Sequence, residues 1–174
     1  MNMTVRSTSN LAGDLRIYSA PKALLRHIQW SMNKIFEGVV VLDWVNQPLA
    51  PGSMSCELQW RSGNPLASKI AGTLKSWHFI RFEVREYPLT VNDAVGEGVL
   101  YRCTPDLGLH QAVTSSTGDV MVHENRLQTI MDTHRNYEAL QSALAGALGH
   151  SWDQELEWYR RGIVRDSSNI SINM

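Results

Sequence analysis

Residues 54–86 read MSCELQWRSGNPLASKIAGTLKSWHFIRFEVRE, a stretch that is extended, then helical, then extended again. Apolar and polar side chains alternate over residues 54–61 and again over residues 79–86, as they do in strands with one buried face. Between these strands, residues 65–76 place apolar side chains every three or four positions, which is typical of an amphipathic helix. This stretch therefore predicts one strand-helix-strand unit.

An earlier stretch repeats the same order of elements. Residues 15–18 read as a strand, residues 21–35 as a helix and residues 39–45 as a second strand. The last of these is a nearly continuous apolar run, typical of a strand that is central in a sheet or covered on both faces. Two such units predict an α+β fold built on a ferredoxin-like split β-α-β sheet.

The second half of the chain predicts further strands and then helices. Short strands are expected at residues 99–104, 109–114 and 120–122, after a loop over residues 88–98. Three apolar stripes at helical spacing follow. The predicted organisation is a flexible N-terminus (1–13), one α+β domain (14–161) with a ferredoxin-like half (14–87), extra strands (97–122) and helices (123–161), and a flexible tail (162–174).

Composition narrows the classes of partner. The 174 residues carry a net charge of −1 without any block of like charge, which argues against nucleic acid as the main partner. The chain shows no signal peptide and no apolar run long enough to span a membrane, so we expect a cytoplasmic protein. Cys56 and Cys103 are the two cysteines and read as reduced, buried thiols, although their spacing leaves a disulfide open.

The sheet face opposite the two predicted helices is polar. It is expected to carry Arg16, Asp43, Glu57, Gln59, Arg81, Glu83 and Arg85. Opposite charges on neighbouring strands pair across a sheet, so the simplest interpretation is a solvated, salt-bridged face or one covered by the later hairpin. The functional alternative is a polar platform that binds a partner, or an anion through Arg81 and Arg16.

Tryptophans outside the apolar stripes are candidates for contact with another protein. Trp30 lies beside the stripe of the first helix, and Trp158 lies beside the stripe of the last. Exposed tryptophans often dominate binding energies at protein interfaces. The full set of predicted partner-binding residues is Trp30, Gln47, Pro48, Arg81, Glu83, Trp158, Arg160 and Arg161.

Signals for catalysis are weak. The histidines lack the spacing of a local metal site, no dinucleotide loop or nucleophile elbow is present, and we predict neither a metal nor a cofactor. His110 and Asp119 flank a predicted hairpin and are the candidates for acid–base chemistry, although a structural histidine fits better. Asp153, Glu155 and Glu157 lie early in the last helix, where carboxylates favour the positive end of the helix dipole.

Several motifs along the chain occur together in one known family. They include Ser19-Ala-Pro21, Leu42-Asp43-Trp44, Arg81-Phe82-Glu83-Val84, Thr104-Pro105, Glu124-Asn125-Arg126-Leu127 and Trp152-Asp153. Over about residues 15–160 the chain resembles an actinobacterial family known only as domain of unknown function 3145. It departs from the family pattern at Asn125, and the family's longer C-terminal segment is expected to be reduced after Arg161. The family brings no catalytic residues, but its members often lie beside genes of fatty-acid synthesis.

The resemblance implies a role around acyl-CoA carboxylation or acyl-chain elongation, with a carboxylase or another enzyme of fatty-acid synthesis as the protein partner. We therefore expect a non-catalytic regulatory protein, inhibitory in sign, that occupies the active site of an acyl-CoA (acetyl-CoA) carboxylase complex. One alternative is a small enzyme or ligand sensor for acyl-CoA-like anions, which would use Arg16 and Arg81 for binding and His110 and Asp119 for chemistry. Another alternative is a structural subunit of such a complex. The sequence leaves the protein's own oligomeric state open.

Overall fold

A seven-stranded sheet organises the protein, with helices packed on both of its faces. The computed structural model describes residues 10–90 and 94–169, with side chains as far as Gly162. The strands are β1 (Asn10–Pro21), β2 (Val45–Asn46), β3 (Ser53–Ser62), β4 (Arg81–Leu89), β5 (Gly98–Thr104), β6 (Gly108–Thr114) and β7 (Val120–Met121). The helices are α1 (Leu25–Ile35), α2 (Ala67–Leu74), α3 (Glu124–Thr133), α4 (Tyr137–Leu148) and α5 (His150–Asn169).

The strand order places the longest strand at the centre of the core. The order is β2-β3-β1-β4-β5-β6-β7, and every paired neighbour is antiparallel. Because β1 lies between β3 and β4, its inward side chains Leu15 and Ile17 are 0% and 1% exposed. They pack with the buried sides of α1 and α2, including Ile28 and Ile70, to form the main core on one face of the sheet.

A buried carboxylate from the sheet holds the start of α2. Glu86 on β4 is 5% exposed, and its Oε2 accepts hydrogen bonds from the backbone N–H groups of Leu66 (2.8 Å) and Ala67 (3.3 Å). The first N–H groups of a helix have no partner within the helix and carry partial positive charge. Glu86 therefore caps α2 from a strand nineteen or more residues further along the chain.

The predicted strand over residues 39–45 is wrong. Only β2 pairs there, joining Val45 to Ser55 and Asn46 to Met54 at the edge of the sheet. Further back, the backbone of Val40 bonds to side chains of α1: its N–H donates to Asn33 Oδ1 (3.1 Å), and its carbonyl accepts from Gln29 Nε2 (2.7 Å). The apolar run is thus held at an edge, with one side in water, and is neither central nor covered on both faces.

The other predicted elements form, with corrections at both ends of the chain. The strands expected at residues 99–104, 109–114 and 120–122 and the three C-terminal helices are confirmed as β5 to β7 and α3 to α5. β1 begins at Asn10, so residues 10–13 are strand, whereas a flexible terminus was expected over 1–13. α5 continues to Asn169, past the predicted boundary at Arg161. Residues 1–9 and 170–174 lie outside the described residues.

The second face of the sheet is covered by the C-terminal helices. α5 contacts β1 and β5, and α4 packs beside α5. The sequence predicts that this face is either solvated or covered by the later hairpin. Its cover by the C-terminal helices was not predicted. The paired rung between Arg16 and Glu57, whose atoms Nε and Oε1 are 3.4 Å apart, lies on the part that stays open.

The two cysteines are separated by the sheet itself. Cys56 lies on β3 and Cys103 on β5, with β1 and β4 between them, so three strand spacings or roughly 14 Å separate them. A disulfide requires Cα atoms less than about 7 Å apart, so these two thiols cannot be joined in this fold. Both are buried and free of a disulfide. Within the described ranges, no helix is long and apolar enough to cross a membrane.

Candidate functional site

A buried carboxylate, Glu83, lies at the centre of the contact between the sheet and α5. Its side chain is 2% exposed, and its two oxygens meet two different guanidinium groups. Arg160 Nη2 on α5 donates to Oε2 at 2.7 Å, and Arg85 Nη2 lies 2.9 Å from Oε1. A carboxylate taken out of water without partners costs several kcal/mol, so this pairing decides where α5 can lie on the sheet.

Arg160 directs all three of its nitrogens to partners. Besides Glu83, its Nε donates to the Tyr18 hydroxyl (3.0 Å), and its Nη1 donates to Asp153 Oδ1 (2.9 Å) and Glu157 Oε2 (3.0 Å). Burial alone would lower the pKa of Arg160, but the contacts with Tyr18 and Glu83 raise that pKa above its usual value. Arg160 is therefore a permanently charged link between α5 and the sheet.

A second ion pair holds α5 next to the first. Arg81 Nε on β4 donates to Glu155 Oε1 at 2.7 Å, and the Arg81 guanidinium lies 4.8 Å from the centre of the Tyr159 ring. Leu156 lies between these contacts and is completely buried. Because α5 is fixed by two ion pairs and a buried leucine within two helical turns, its outward side is a rigid surface.

The start of α5 rests on a buried histidine and a buried arginine. Arg102 Nη1 donates to the carbonyl of Gly149 (3.1 Å), the residue that ends α4. His110 lies 4.9 Å from the Trp152 ring, centre to centre, and its Nε2 lies 3.3 Å from the carbonyl of Ala147. A carbonyl only accepts, so Nε2 carries the proton in this contact. Burial lowers the pKa of His110, which favours the neutral ring.

The structure does not bring the two acid–base candidates together. His110 lies near the start of β6, beneath α4 and α5, whereas Asp119 follows the end of that strand. Asp119 Oδ2 accepts a hydrogen bond from Thr117 Oγ1 (2.7 Å) within the turn between β6 and β7. Four residues of strand alone span about 13 Å, so these two side chains belong to separate sites. His110 supports the α4–α5 connection.

The predicted anion-binding pair is likewise divided. Arg81 is covered by α5 and paired with Glu155, whereas Arg16 pairs with Glu57 on the open part of the sheet. An open cleft of about 510 Å³ remains beside β1 and β3, lined in part by Asp14, Gln59 and Trp60. Burial raises the pKa of Asp14, against the opposing effect of the nearby arginines. Within residues 10–90 and 94–169, no group of three His, Cys, Asp or Glu side chains is placed to hold a metal ion.

The eight predicted partner-binding residues separate into internal and exposed groups. Arg81, Glu83 and Arg160 are used within the protein, as described above. Gln47 is 2% exposed, and its Nε2 donates to the carbonyl of Tyr18 at 2.5 Å, so it fixes its own loop to β1. The exposed members are Trp30, Pro48, Trp158 and Arg161. Trp30 lies on α1, on the opposite side of the sheet from the other three.

The exposed members near α5 form one surface. Trp158 is 69% exposed, and Gly162 follows one turn later on the same side of the helix. A Cβ atom at Gly162 would lie 2.9 Å from Leu49 Cγ, so the loop before β3 packs against α5 at this point. Pro48 and Leu49 are exposed there, and Leu49 is 51% exposed. We call Trp158, Arg161, Pro48 and Leu49 the α5 surface.

Several residues of this region were missed by sequence reasoning. Asp153, Glu155 and Glu157 complete the ion pairs of α5, and Tyr18 accepts a hydrogen bond from Arg160, whereas the carboxylates were assigned only to the helix dipole. The charged residues of α5 are three, four and seven positions apart, so they share one side of the helix. This spacing was a signal in the sequence that these side chains could pair with each other.

Comparison with known families identifies the chain. The model of the family described as "Protein of unknown function (DUF3145)" matches residues 15–170, nearly the whole length. The chain belongs to the DUF3145 family. This match continues past residue 160 into the end of α5, so the family region includes the segment that we expected to be reduced after Arg161. No curated protein and no solved structure matches this DUF3145 protein.

Proposed function

We propose that this DUF3145 protein is a non-catalytic binding protein that regulates another protein by covering part of its surface. The observation that carries this proposal is Trp158, which is 69% exposed on a helix whose other side is fixed by the Glu83–Arg160 ion pair. Exposed tryptophans are over-represented among the residues that dominate binding. A rigid support reduces the conformational entropy lost when such a side chain is buried by a partner.

We propose the acyl-CoA (acetyl-CoA) carboxylase complex as the partner and inhibition as the result. The support for this partner is the gene neighbourhood expected from the family resemblance. In the proposed complex, Trp158 and Leu49 fill an apolar depression near the carboxylase active site, and Arg161 lies at the rim. The protein excludes acyl-CoA by occupying the space, so the regulation requires no reactive group of its own.

A binding measurement with two tryptophan variants tests this proposal. The carboxylase complex is immobilised, and the wild-type protein, Trp158→Ala and Trp30→Ala are titrated over it by biolayer interferometry. Trp30 is a matched control because it is also 69% exposed but lies on α1. We expect Trp158→Ala to weaken binding by about 30-fold, the effect of a hot-spot residue worth about 2 kcal/mol, and Trp30→Ala to leave it unchanged. Absence of wild-type binding, or equal effects of both variants, contradicts the proposal.

We also propose a finer description of the fold and location. The first half corresponds to a split β-α-β sheet of the ferredoxin-like kind, supported by the order β2-β3-β1-β4 and by the packing of α1 and α2 on one face. The proposed location is the cytoplasm, supported by two buried thiols that form no disulfide, because reduced cysteines are typical of that compartment.

A further inference from the structure

Most of the outer edge of β3 has no hydrogen-bonded strand beside it. On one side, β3 pairs with β1 from Ser53 to Ser62, but on the other side β2 pairs only with Met54 and Ser55. The apolar segment before β2 forms no strand along the rest of this edge, because Val40 is bonded to side chains of α1. No described strand therefore pairs with the outer edge of β3 beyond Ser55.

The backbone groups along this edge point outward at known positions. Across the edge, the N–H of Gln47 donates to the carbonyl of Ser53 at 3.0 Å, so Ser53 directs its carbonyl to the outside. In an antiparallel ladder, every second residue directs its N–H and C=O to the same side. Glu57, Gln59 and Arg61 therefore present their N–H and C=O groups outward. The extra residue that shifts the register with β1 lies on β1 and does not disturb this order.

We infer that this edge pairs with the same edge of a second copy of the chain, antiparallel about Gln59. The segment reads Glu57-Leu-Gln-Trp-Arg61, which is complementary to itself in that arrangement. Glu57 lies opposite Arg61 of the second copy, and the two-fold axis creates the same pair again. On the other face, Leu58 lies opposite Trp60 of the second copy.

Other arrangements of the two edges lose this complementarity. A two-fold axis at Leu58 or at Trp60 pairs neither Glu57 nor Arg61 with an opposite charge, and a parallel, in-register arrangement places like charges together. A two-fold axis at Gln59 aligns the outward backbone groups of both copies as hydrogen-bonded pairs, and so would an axis at Leu58 or at Trp60. The backbone therefore permits all three registers, and the charges select the one about Gln59.

The surroundings of the edge fit an interface between copies. Exposed edges usually carry lysine or proline, which discourage pairing with another strand, and residues 53–62 contain neither. The neighbouring segment exposes Val39, Val41 and Val45, which are 88%, 70% and 53% accessible. Glu57 is open to a second arginine, because its side chain is 64% exposed although Arg16 lies 3.4 Å away.

Charge-reversal variants test the dimer and its register. Association of the purified full chain is measured by sedimentation equilibrium, for the wild type and for Glu57→Arg, Arg61→Glu and an equimolar mixture of these two variants. We expect a wild-type dimer and at least about tenfold weaker association of each single variant, because two favourable cross-strand pairs become two unfavourable ones. In the mixture every Glu–Arg pair is restored between unlike chains, so we expect a heterodimer.

Two further variants keep the inference open to refutation. Lys69→Glu reverses an exposed charge on α2, away from the edge, and is expected to leave the dimer intact. Gln59→Pro removes the outward N–H at the two-fold axis, which forms no hydrogen bond with β1. We expect this variant to be a monomer with an unchanged circular dichroism spectrum. A monomeric wild type overturns the inference. A dimer that is insensitive to Gln59→Pro and to both reversals, or variants that do not associate when mixed, also overturns it.

Discussion

Replacement of Arg160 by methionine measures how strongly α5 is held to the sheet. Arg160→Met keeps most of the apolar stem but removes the guanidinium that contacts Glu83, Tyr18, Asp153 and Glu157. Removal of one partner of a buried ion pair costs about 3–5 kcal/mol. In this variant Glu83 still pairs with Arg85 at 2.9 Å, and Arg85 is 45% exposed, so the buried negative charge keeps one partner. We therefore expect the free energy of unfolding to fall by about 2–3 kcal/mol.

The matched control for this experiment is the next residue. Arg161→Met removes a guanidinium that is 68% exposed and paired with Glu157, and exposed pairs contribute about 0–1 kcal/mol. Urea unfolding followed by far-UV circular dichroism measures both variants. Hydrogen exchange then localises the change, which we expect to be faster exchange within α5. Equal stabilities of Arg160→Met and Arg161→Met would refute the role given to the buried pair.

A double-mutant cycle separates the pair from its surroundings. Glu83→Gln removes the buried negative charge, and the double variant with Arg160→Met leaves neither charge of the pair. Because the uncompensated carboxylate is absent from the double variant, its destabilisation is expected to be smaller than the sum of the single effects by about 1–3 kcal/mol. Additive effects would show that Glu83 and Arg160 do not interact in solution.

Three further predictions concern buried groups. Burial lowers the pKa of His110 in the folded protein, so the unfolded chain binds a proton first as the pH falls below about 6.5. The free energy of unfolding should therefore decrease over that pH range. Urea titrations of His110→Gln should lack this decrease. Gly149→Ala should destabilise the protein by about 2 kcal/mol or more in thermal unfolding, because φ is 72° and the new Cβ would lie 2.5 Å from the His110 ring. Gly146→Ala is the control: its Cβ would meet open space, so it should stabilise α4 by up to about 1 kcal/mol. Burial raises the pKa of Cys56 to about 12 and of Cys103 to about 11, so a disulfide reagent at neutral pH should label them only after unfolding by urea; rapid labelling of the native protein would contradict this burial.

Local periodicity explains which elements could be predicted from the sequence. β3 and β4 alternate cleanly between apolar and polar side chains, and each of the five helices carries an apolar side at helical spacing, so their positions follow from the residues alone. Residues 39–45 contain the same residue types as a buried strand. Their pattern does not show, however, whether their backbone will bond to a neighbouring strand or to side chains elsewhere. Gln29 and Asn33 on α1 bind the backbone of Val40, so within the predicted strand only Val45 pairs with the sheet.

Contacts between distant parts of the chain explain what could not be predicted. Glu83 and Arg160 are 77 residues apart, and Tyr18 is 142 residues from Arg160. Each was recognisable as a polar residue on a strand or a helix, but nothing local indicates that α5 crosses the polar face of the sheet. Three residues predicted to bind a partner, Arg81, Glu83 and Arg160, are therefore used inside the protein, whereas Trp158 remains outside.

Steady-state kinetics of the carboxylase test the central claim most directly. The rate of acyl-CoA carboxylation by the purified complex is measured at several concentrations of this DUF3145 protein and of acyl-CoA. If the protein acts by occupying the active site, the inhibition should be saturable and competitive with acyl-CoA, and Trp158→Ala should lose it while Trp30→Ala retains it. The proposed function would be contradicted if a saturating concentration of the wild-type protein left the carboxylation rate unchanged.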